Sequence, residues 1–375
     1  MAGARPAAVA LAALALLAAG CGGARDVPPP SAWRAERTPA VGGTSALLNG
    51  VACVSPRFCV AVGIRFHGRV GRTLALRFDG RAWRVVPTAA RADDRSGLAD
   101  VSCASERFCA AVGTHFEAGG ESRGLVELWD GRRWRVAAEA PRPSVLSAVS
   151  CPSARFCAAV GTARGGSPTA LVLVWRGDRW RAARSPSAPG DTSLSGVSCP
   201  SESFCVAVGR RSVGPKVAPL AVAWDGGRWR LEPTPSVSSY SALNAVDCLS
   251  PGPCLAVGDR FHGDGSRTLV ERRDGGWTRR PSPSRSFQSG FAAVSCVTRD
   301  ACAAVGAQRD GANRTLAAGW DGSAWTLAAS PDPGGSNAFA DVACVADGGG
   351  VLCFAVGSTG PAAGLASRPL VARGS

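Results

Sequence analysis

Apolar positions along this chain fall in short runs separated by turn residues, and the runs recur. Between residues 144 and 186 there are four of them, at 146–151, 156–161, 171–175 and 180–185, rich in Val, Ala, Leu, Phe and Trp. Pro, Ser, Gly and Asp bound each run, the pattern of strands joined by turns. No run outside the N-terminus keeps a 3.6-residue apolar period, so strands are expected and helices are not. The stretch 194–229 carries the same arrangement, and so does most of the chain.

Cysteines set the period. The first cysteine of each copy falls at Cys53, Cys103, Cys151, Cys199, Cys248, Cys296 and Cys344, 48 to 50 residues apart. Four strands per unit at that period is the signature of a β-propeller blade. A blade cannot bury both faces alone, so neighbours must stack into a ring. The predicted fold is therefore all-β, a seven-bladed β-propeller with four strands per blade. The last copy runs out at Gly374-Ser375, before a fourth strand, with Leu370-Val371-Ala372 aligned on Leu173-Val174-Trp175. The missing strand is at the other end, where Trp33-Arg34-Ala35-Glu36 resembles Trp229-Arg230-Leu231-Glu232, and Trp33 precedes Leu47 by the same 14 residues that separate Trp229 from Leu243. The N-terminal strand is expected to complete blade seven and close the ring, which removes an open edge.

The ends of the chain divide it into three segments. Residues 1–21 have a basic start, an apolar stretch at 7–19 and the ending Leu17-Ala18-Ala19-Gly20-Cys21. That ending resembles a bacterial lipobox with Cys21 as the acylated residue, although Ala18 stands where Leu is usual; the alternative is an ordinary secretory signal cut near Ala19. Residues 22–31, with prolines at Pro28, Pro29 and Pro30, read as a tether that reaches at most ~35 Å. Residues 32–375 read as one propeller domain.

The remaining cysteines pair within copies: Cys53 with Cys59, Cys103 with Cys109, Cys151 with Cys157, Cys199 with Cys205, Cys248 with Cys254, Cys296 with Cys302, and Cys344 with Cys353. Across an antiparallel hairpin this spacing brings two Cβ atoms within disulfide range, and an exported chain meets an oxidising compartment. Two thiolates without a histidine at repeating spacing do not make a zinc site, and no metal is expected. The second turn reads Trp-Asp-Gly-x-x-Trp at 129–134, 224–229 and 320–325, and its tryptophans are expected to pack blade against blade. Repeat five is one residue short with Arg273 where the first Trp belongs, and repeat seven has Ala372 there.

These units, LSGVSC…FCxAVG…WDGxxW, resemble the repeat of uncharacterised secreted and lipoprotein propellers frequent in actinobacteria, often grouped with kelch/galactose-oxidase-like or WD40/YVTN/BNR-like folds. The resemblance spans residues 32–375 and implies a fold without implying chemistry. A galactose-oxidase-like copper site needs several tyrosines and histidines, yet Tyr240 is the only tyrosine and there are three histidines. A sialidase-like site needs a tyrosine nucleophile, and Tyr240 falls in a Ser-rich connection. The sialidase Asp-box puts Trp five residues after Asp, whereas Trp134 follows Asp130 by four.

Candidate chemistry is sparse. His67 and His262 share the context Arg-Phe-His-Gly, and His115 falls at a similar place, all expected in exposed loops after the second strand. Glu127 and Glu271 recur at one strand position and are read as part of a solvated face. The innermost strand carries small residues at Gly50, Ala148, Gly196 and Ala245, with Asp100 and Asp341 as exceptions. The segments 64–73, 114–124, 210–219, 259–268, 307–315 and 358–369 vary most between copies and lie at one end of the sheets, so that end is the expected binding face, offering Arg65, His67, His115, Arg210, Arg211, Arg260, His262 and Arg309. The formal charge of +14 rests on arginine, since Lys216 is the only lysine; it suits anionic envelope polymers or lipid as well as it suits a compositional bias.

The expected function is a non-catalytic binding scaffold for a protein or glycan of the cell envelope, tethered to the outer face of the membrane through Cys21, or alternatively secreted. The competing reading is a carbohydrate-active hydrolase or lyase working in the central channel. No cofactor and no nucleic-acid partner are expected, and the chain is expected to be a monomer.

Overall fold

The computed structural model describes residues 28–374 except 90–94, 118, 142, 186–187, 236–237, 264 and 362–365; the lipobox reading at Cys21 lies outside the described residues. Every helix-or-strand element among them is a strand, 28 in all. They form four-stranded antiparallel sheets in which strand order follows chain order, as in Ser144–Ser153, Phe156–Ala163, Thr169–Trp175 and Trp180–Ala183. These bounds enclose the first three runs read from the sequence, end the fourth at Ala183 and not at 185, and extend the hairpins at one end. Repeats five and six join into one eight-stranded sheet, but only through a parallel pair between Ser266 and Gln288. The sheet of repeat seven takes its outer strand from Trp33–Ala35, which pairs with Arg368–Gly374. First strands of successive repeats lie side by side, so the sheets radiate like blades from a shared centre. The chain is a β-propeller.

The register explains the recurrent Val-Gly of the second strand. Each first strand carries a bulge just before the third residue ahead of its cysteine, as between Leu48 and Gly50 or Leu98 and Asp100. The bulge pushes a first-strand carbonyl into the neighbouring strand. A Cβ built on Gly63, Gly113, Gly161, Gly209, Gly258, Gly306 or Gly357 would stand 2.0–2.1 Å from that oxygen. Only glycine fits there.

Register also corrects the alignment of the last repeat. Cys353 pairs with Gly374 as Cys157 pairs with Trp175, so Gly374 and not Ala372 occupies the first tryptophan position. A side chain on Gly374 would meet Pro30 and Trp33 at 3.0 Å, which shows what fills the space a tryptophan takes elsewhere.

The core lies between blades. Trp129 and Trp134 pack with Phe58, Val60 and Val62 of the preceding repeat, and Trp224 and Trp229 pack with Phe156, Ala158 and Val160. Phe78 and Trp83 pack with Phe354 of repeat seven, and Trp33 with Ala303 and Val305 of repeat six. Both faces of the inner strands are thus covered. That overturns the solvated reading of Glu127 and Glu271, which have no exposed surface.

All seven cysteine pairs are disulfides local to one repeat, with Cα atoms 3.9–4.2 Å apart. Seven such bonds suit an oxidising, extracytoplasmic compartment. Peptide mapping without reduction should return each pair within its own repeat; a peptide linking cysteines of two repeats would refute this pairing.

Candidate functional site

The two ends of the sheets differ less than the sequence suggests. The segments that vary between copies are mostly hairpin strands and not loops: Phe204–Val213 runs into Lys216–Trp224 across two residues, and Ala301–Asp310 into Ala312–Trp320 across one. His67 and His262 accordingly end strands, with their side chains exposed, and His115 lies within the strand Phe108–Phe116. Arg65 folds back to donate to the Val41 carbonyl at 3.3 Å. Arg65 and His67 belong to repeat one, His115 to repeat two and Arg309 to repeat six. The histidines are therefore not brought together, and among the described residues no three His, Cys, Asp or Glu side chains gather in a way that could hold a metal ion.

Four of the eight candidate residues do sit on adjoining hairpins: Arg210 and Arg211 in repeat four, Arg260 and His262 in repeat five. Tyr240, on the connection between the two, ties them. Its carbonyl accepts the Phe261 N–H at 2.9 Å, the neighbouring Ser239 carbonyl accepts the Val217 N–H at 3.0 Å, and Arg210 Nη1 donates to its hydroxyl at 3.4 Å. Phe261 stands edge-on to the Tyr240 ring, centroids 5.2 Å apart, and remains 46% exposed. Val213 and Phe287 are exposed at the same end, and Arg267 donates to the Ser286 carbonyl next to Phe287. Burial, with Arg279 and Arg267 nearby, holds the Arg260 guanidinium below its ordinary value. Apolar aromatics and crowded like charges both gain from a partner that covers them. Sequence reasoning set Tyr240 aside and missed Phe287, which belongs to no repeat position, and it used Phe261, which recurs as Phe66 and Phe116, only as the context of His262.

A belt of hydrogen bonds runs from sheet to sheet along the first strands. The residue before the first cysteine accepts the cysteine N–H of the next repeat. Ser102 accepts from Cys151 (3.0 Å), Ser150 from Cys199 (2.9 Å), Ser198 from Cys248 (3.0 Å), Asp247 from Cys296 (2.7 Å) and Ser295 from Cys344 (3.1 Å). Alanines at 52 and 343 cannot do this, and other side chains take over. Asp341 Oδ2 accepts the Val51 N–H at 2.7 Å, and Asn49 donates to the Leu98 carbonyl at 2.8 Å.

Asp100 and Asp341 flank Gly50, where a Cβ would come within 2.7 Å of the Asp100 Cα. Both line the centre with some accessible surface yet are walled by protein. Burial pushes Asp100 up to about 7 against hydrogen bonds from Val149 and Val101. Asp341 rises well above the usual carboxylate range, first through burial and then through the charge of Asp100. Two carboxyls at such a centre could serve acid–base chemistry. Their oxygens are already committed, however: Asp100 Oδ1 and Oδ2 accept the Val101 and Val149 N–H groups at 2.7 and 2.8 Å. Asp247, which sequence reasoning passed over, does the same work in the place that serine holds in four other copies.

No family model matches the chain, and no curated protein matches it. Solved structures do. YCF48 bound to a D1 peptide superposes with a TM-score of 0.55 at 17% identity, over 93% of this chain and 99% of that one. YCF48 from Cyanidioschyzon merolae gives 0.55 at 14% identity, over 92% and 98%. A Trypanosoma rangeli sialidase reaches only 0.48 at 12% identity, over 93% of this chain and 57% of that one, and carries no argument. The likeness establishes a shared propeller fold.

Proposed function

We propose that this chain is a seven-bladed propeller, closed by Trp33–Ala35, that serves as a non-catalytic scaffold outside the cytoplasm and is held at the membrane through Cys21. Its partner is a protein whose docking segment joins acidic to apolar side chains, seated on the hairpin end of blades four and five. The observation that carries this reading is the clustering of exposed Phe261 and Phe287 with Tyr240, Arg210 and Arg260 at that one end. Aromatic residues and arginine are the side chains that most often anchor protein interfaces. A propeller of matching span, YCF48, carries a bound D1 peptide, so a peptide segment is a ligand the architecture accommodates. The enzyme reading gains nothing from the central acids, whose oxygens accept backbone N–H groups of their own and neighbouring sheets.

The tether favours this orientation. Trp33 opens the outer strand at the end where third strands turn into fourth, so a lipid on Cys21, twelve residues upstream, holds that end toward the bilayer. Arg81, Arg132, Arg133, Arg179 and Arg228 lie in turns there, where anionic headgroups attract them. The Tyr240 cluster then faces outward.

A photo-crosslinking residue placed at Val213 on intact cells should capture the partner, and one placed at Gly227 in the opposite turn, where a side chain has room, should not. Arg210→Glu combined with Arg260→Glu should weaken capture about tenfold or more at low salt. Crosslinks from Gly227 in place of Val213 would refute the assignment.

A further inference from the structure

A substitution in repeat five opens a second site at the other end of the molecule. The residue before the second cysteine is phenylalanine in repeats one to four, at Phe58, Phe108, Phe156 and Phe204, but Pro253, Ala301 and Leu352 in the last three. Each phenylalanine packs on the tryptophans of the next blade: Phe58 on Trp129 and Trp134, Phe108 on Trp175 and Trp180, Phe204 on Trp277. Phe156 and Trp224 have ring centroids 6.5 Å apart. Between repeats six and seven, where Ala301 and Gly374 are both small, the N-terminal prolines enter: Pro29 and Pro30 lie 2.9 and 3.0 Å from Cβ positions built on Gly319 and Gly374.

Among the described residues, nothing equivalent fills the junction of repeats five and six. Trp320 and Trp325 face Pro253 across a cavity of about 660 Å³. Its walls are apolar, from Leu249, Leu255, Pro281 and Pro283 with the two indoles, and Arg272, Arg280 and Arg299 add positive charge. Arg272 is shared with Asp274, at 3.5 Å. The one carboxylate in the lining, Asp247, accepts the Cys296 N–H at 2.7 Å and the Ser198 hydroxyl at 3.4 Å, and burial raises its pKa. Residues of the short turns, among them Leu249, Arg299 and Ser323, form part of the lining, so the cavity reaches the end away from Tyr240. The volume is that of a small-molecule site. Apolar walls and arginines together select a ligand with an apolar body and a negative group.

We infer that the cavity between blades five and six binds a small amphipathic organic anion, its apolar or aromatic body against Trp320, Trp325 and Pro253 and its carboxylate, sulfonate or phosphate on Arg280 and Arg299. The site owes its existence to Pro253, since a phenylalanine there would reach the tryptophans as it does in repeats one to four.

The test uses 8-anilinonaphthalene-1-sulfonate and its uncharged counterpart N-phenyl-1-naphthylamine, titrated against the purified protein with dye and tryptophan fluorescence as readouts. The sulfonate should bind at one site, and Pro253→Phe should weaken it at least about tenfold while circular dichroism and melting temperature stay at or above those of the parent. Arg280→Gln with Arg299→Gln should weaken the sulfonate about tenfold and leave the neutral dye within about twofold. No saturable binding by the parent, or equal binding by Pro253→Phe, would overturn the site. Equal loss of both dyes in the arginine variant would overturn its preference for an anion.

Discussion

Trp33→Ala should destabilise the whole propeller by about 3–5 kcal/mol, the range for removing a buried tryptophan from a packed core. Its strand is only three residues long, and the rest of its sheet lies at the far end of the chain. The indole is 5% exposed and packs among Ala303, Val305 and Phe339, with the Phe339 ring centred 6.2 Å away. The backbone adds Trp33 N–H to the Ala329 carbonyl and Glu36 N–H to the Val371 carbonyl, both at 2.8 Å. Deleting residues 28–39 removes all of this together with Pro30, and it leaves Arg368–Gly374 as an unpaired edge. Such an edge pairs with other chains, so the deletion variant should self-associate. Urea unfolding and light scattering measure the two effects. A loss under about 1 kcal/mol for Trp33→Ala, or a monomeric deletion variant of parental stability, would mean that the N-terminal strand is decoration and the ring is held by other means.

The sequence announced what depends on the repeat and hid what depends on a neighbour. The cysteine spacing, the Val-Gly of the second strand and the Trp-Asp-Gly turns recur in register, so the strands, the local disulfides and the borrowed N-terminal strand could all be read. Repeat seven was misaligned by two residues because the tryptophan that marks the register elsewhere is absent; only the pairing of Cys353 with Gly374 restores it. The cavity was illegible for a related reason. It arises from no insertion but from one lost side chain, and Pro253 becomes informative only once the tryptophans of the next blade are known to face it. Asp247 could have been found by aligning the copies, since it replaces Ser102, Ser150, Ser198 and Ser295. Tyr240 and Phe287 carry no periodic signal, Phe261 recurs only as Phe66 and Phe116, and it is the hairpins of repeats four and five that bring the three together.

Glu271 should make the protein less stable as pH rises through neutrality, and Glu271→Leu should abolish that dependence. The residue sits in the third strand of repeat five, at the position of Glu127 in repeat two and of Leu76 and Leu173 in repeats one and three. Glu127 accepts the Ala89 N–H, from the connection between repeats one and two, at 3.1 Å. The counterpart of Ala89 before repeat five is Pro235, six residues after Trp229 as Ala89 is six after Trp83, and proline has no N–H to give. Neither Glu271 oxygen has a hydrogen-bond partner among the described residues, and the side chain is wholly buried. Burial pushes its pKa up to about 8, opposed by the charge of Arg279. The sign follows from proton counting. Between the ordinary value of 4.5 and about 8 the folded state keeps a proton that the unfolded state has released, so stability falls with pH across that window and is level below it. The total is on the order of 5 kcal/mol, because the window from 4.5 to about 8 counts about 1.4 kcal/mol for each pH unit. Glu271→Leu should therefore raise the unfolding free energy by roughly that amount at pH 8–9 and by much less at pH 4.5. Glu127→Leu should gain far less, since it strands the Ala89 N–H. Denaturant unfolding of the three proteins at several pH values decides the matter. Parallel curves for the parent and Glu271→Leu would show that Glu271 keeps its charge in the core and that Arg279 neutralises it there.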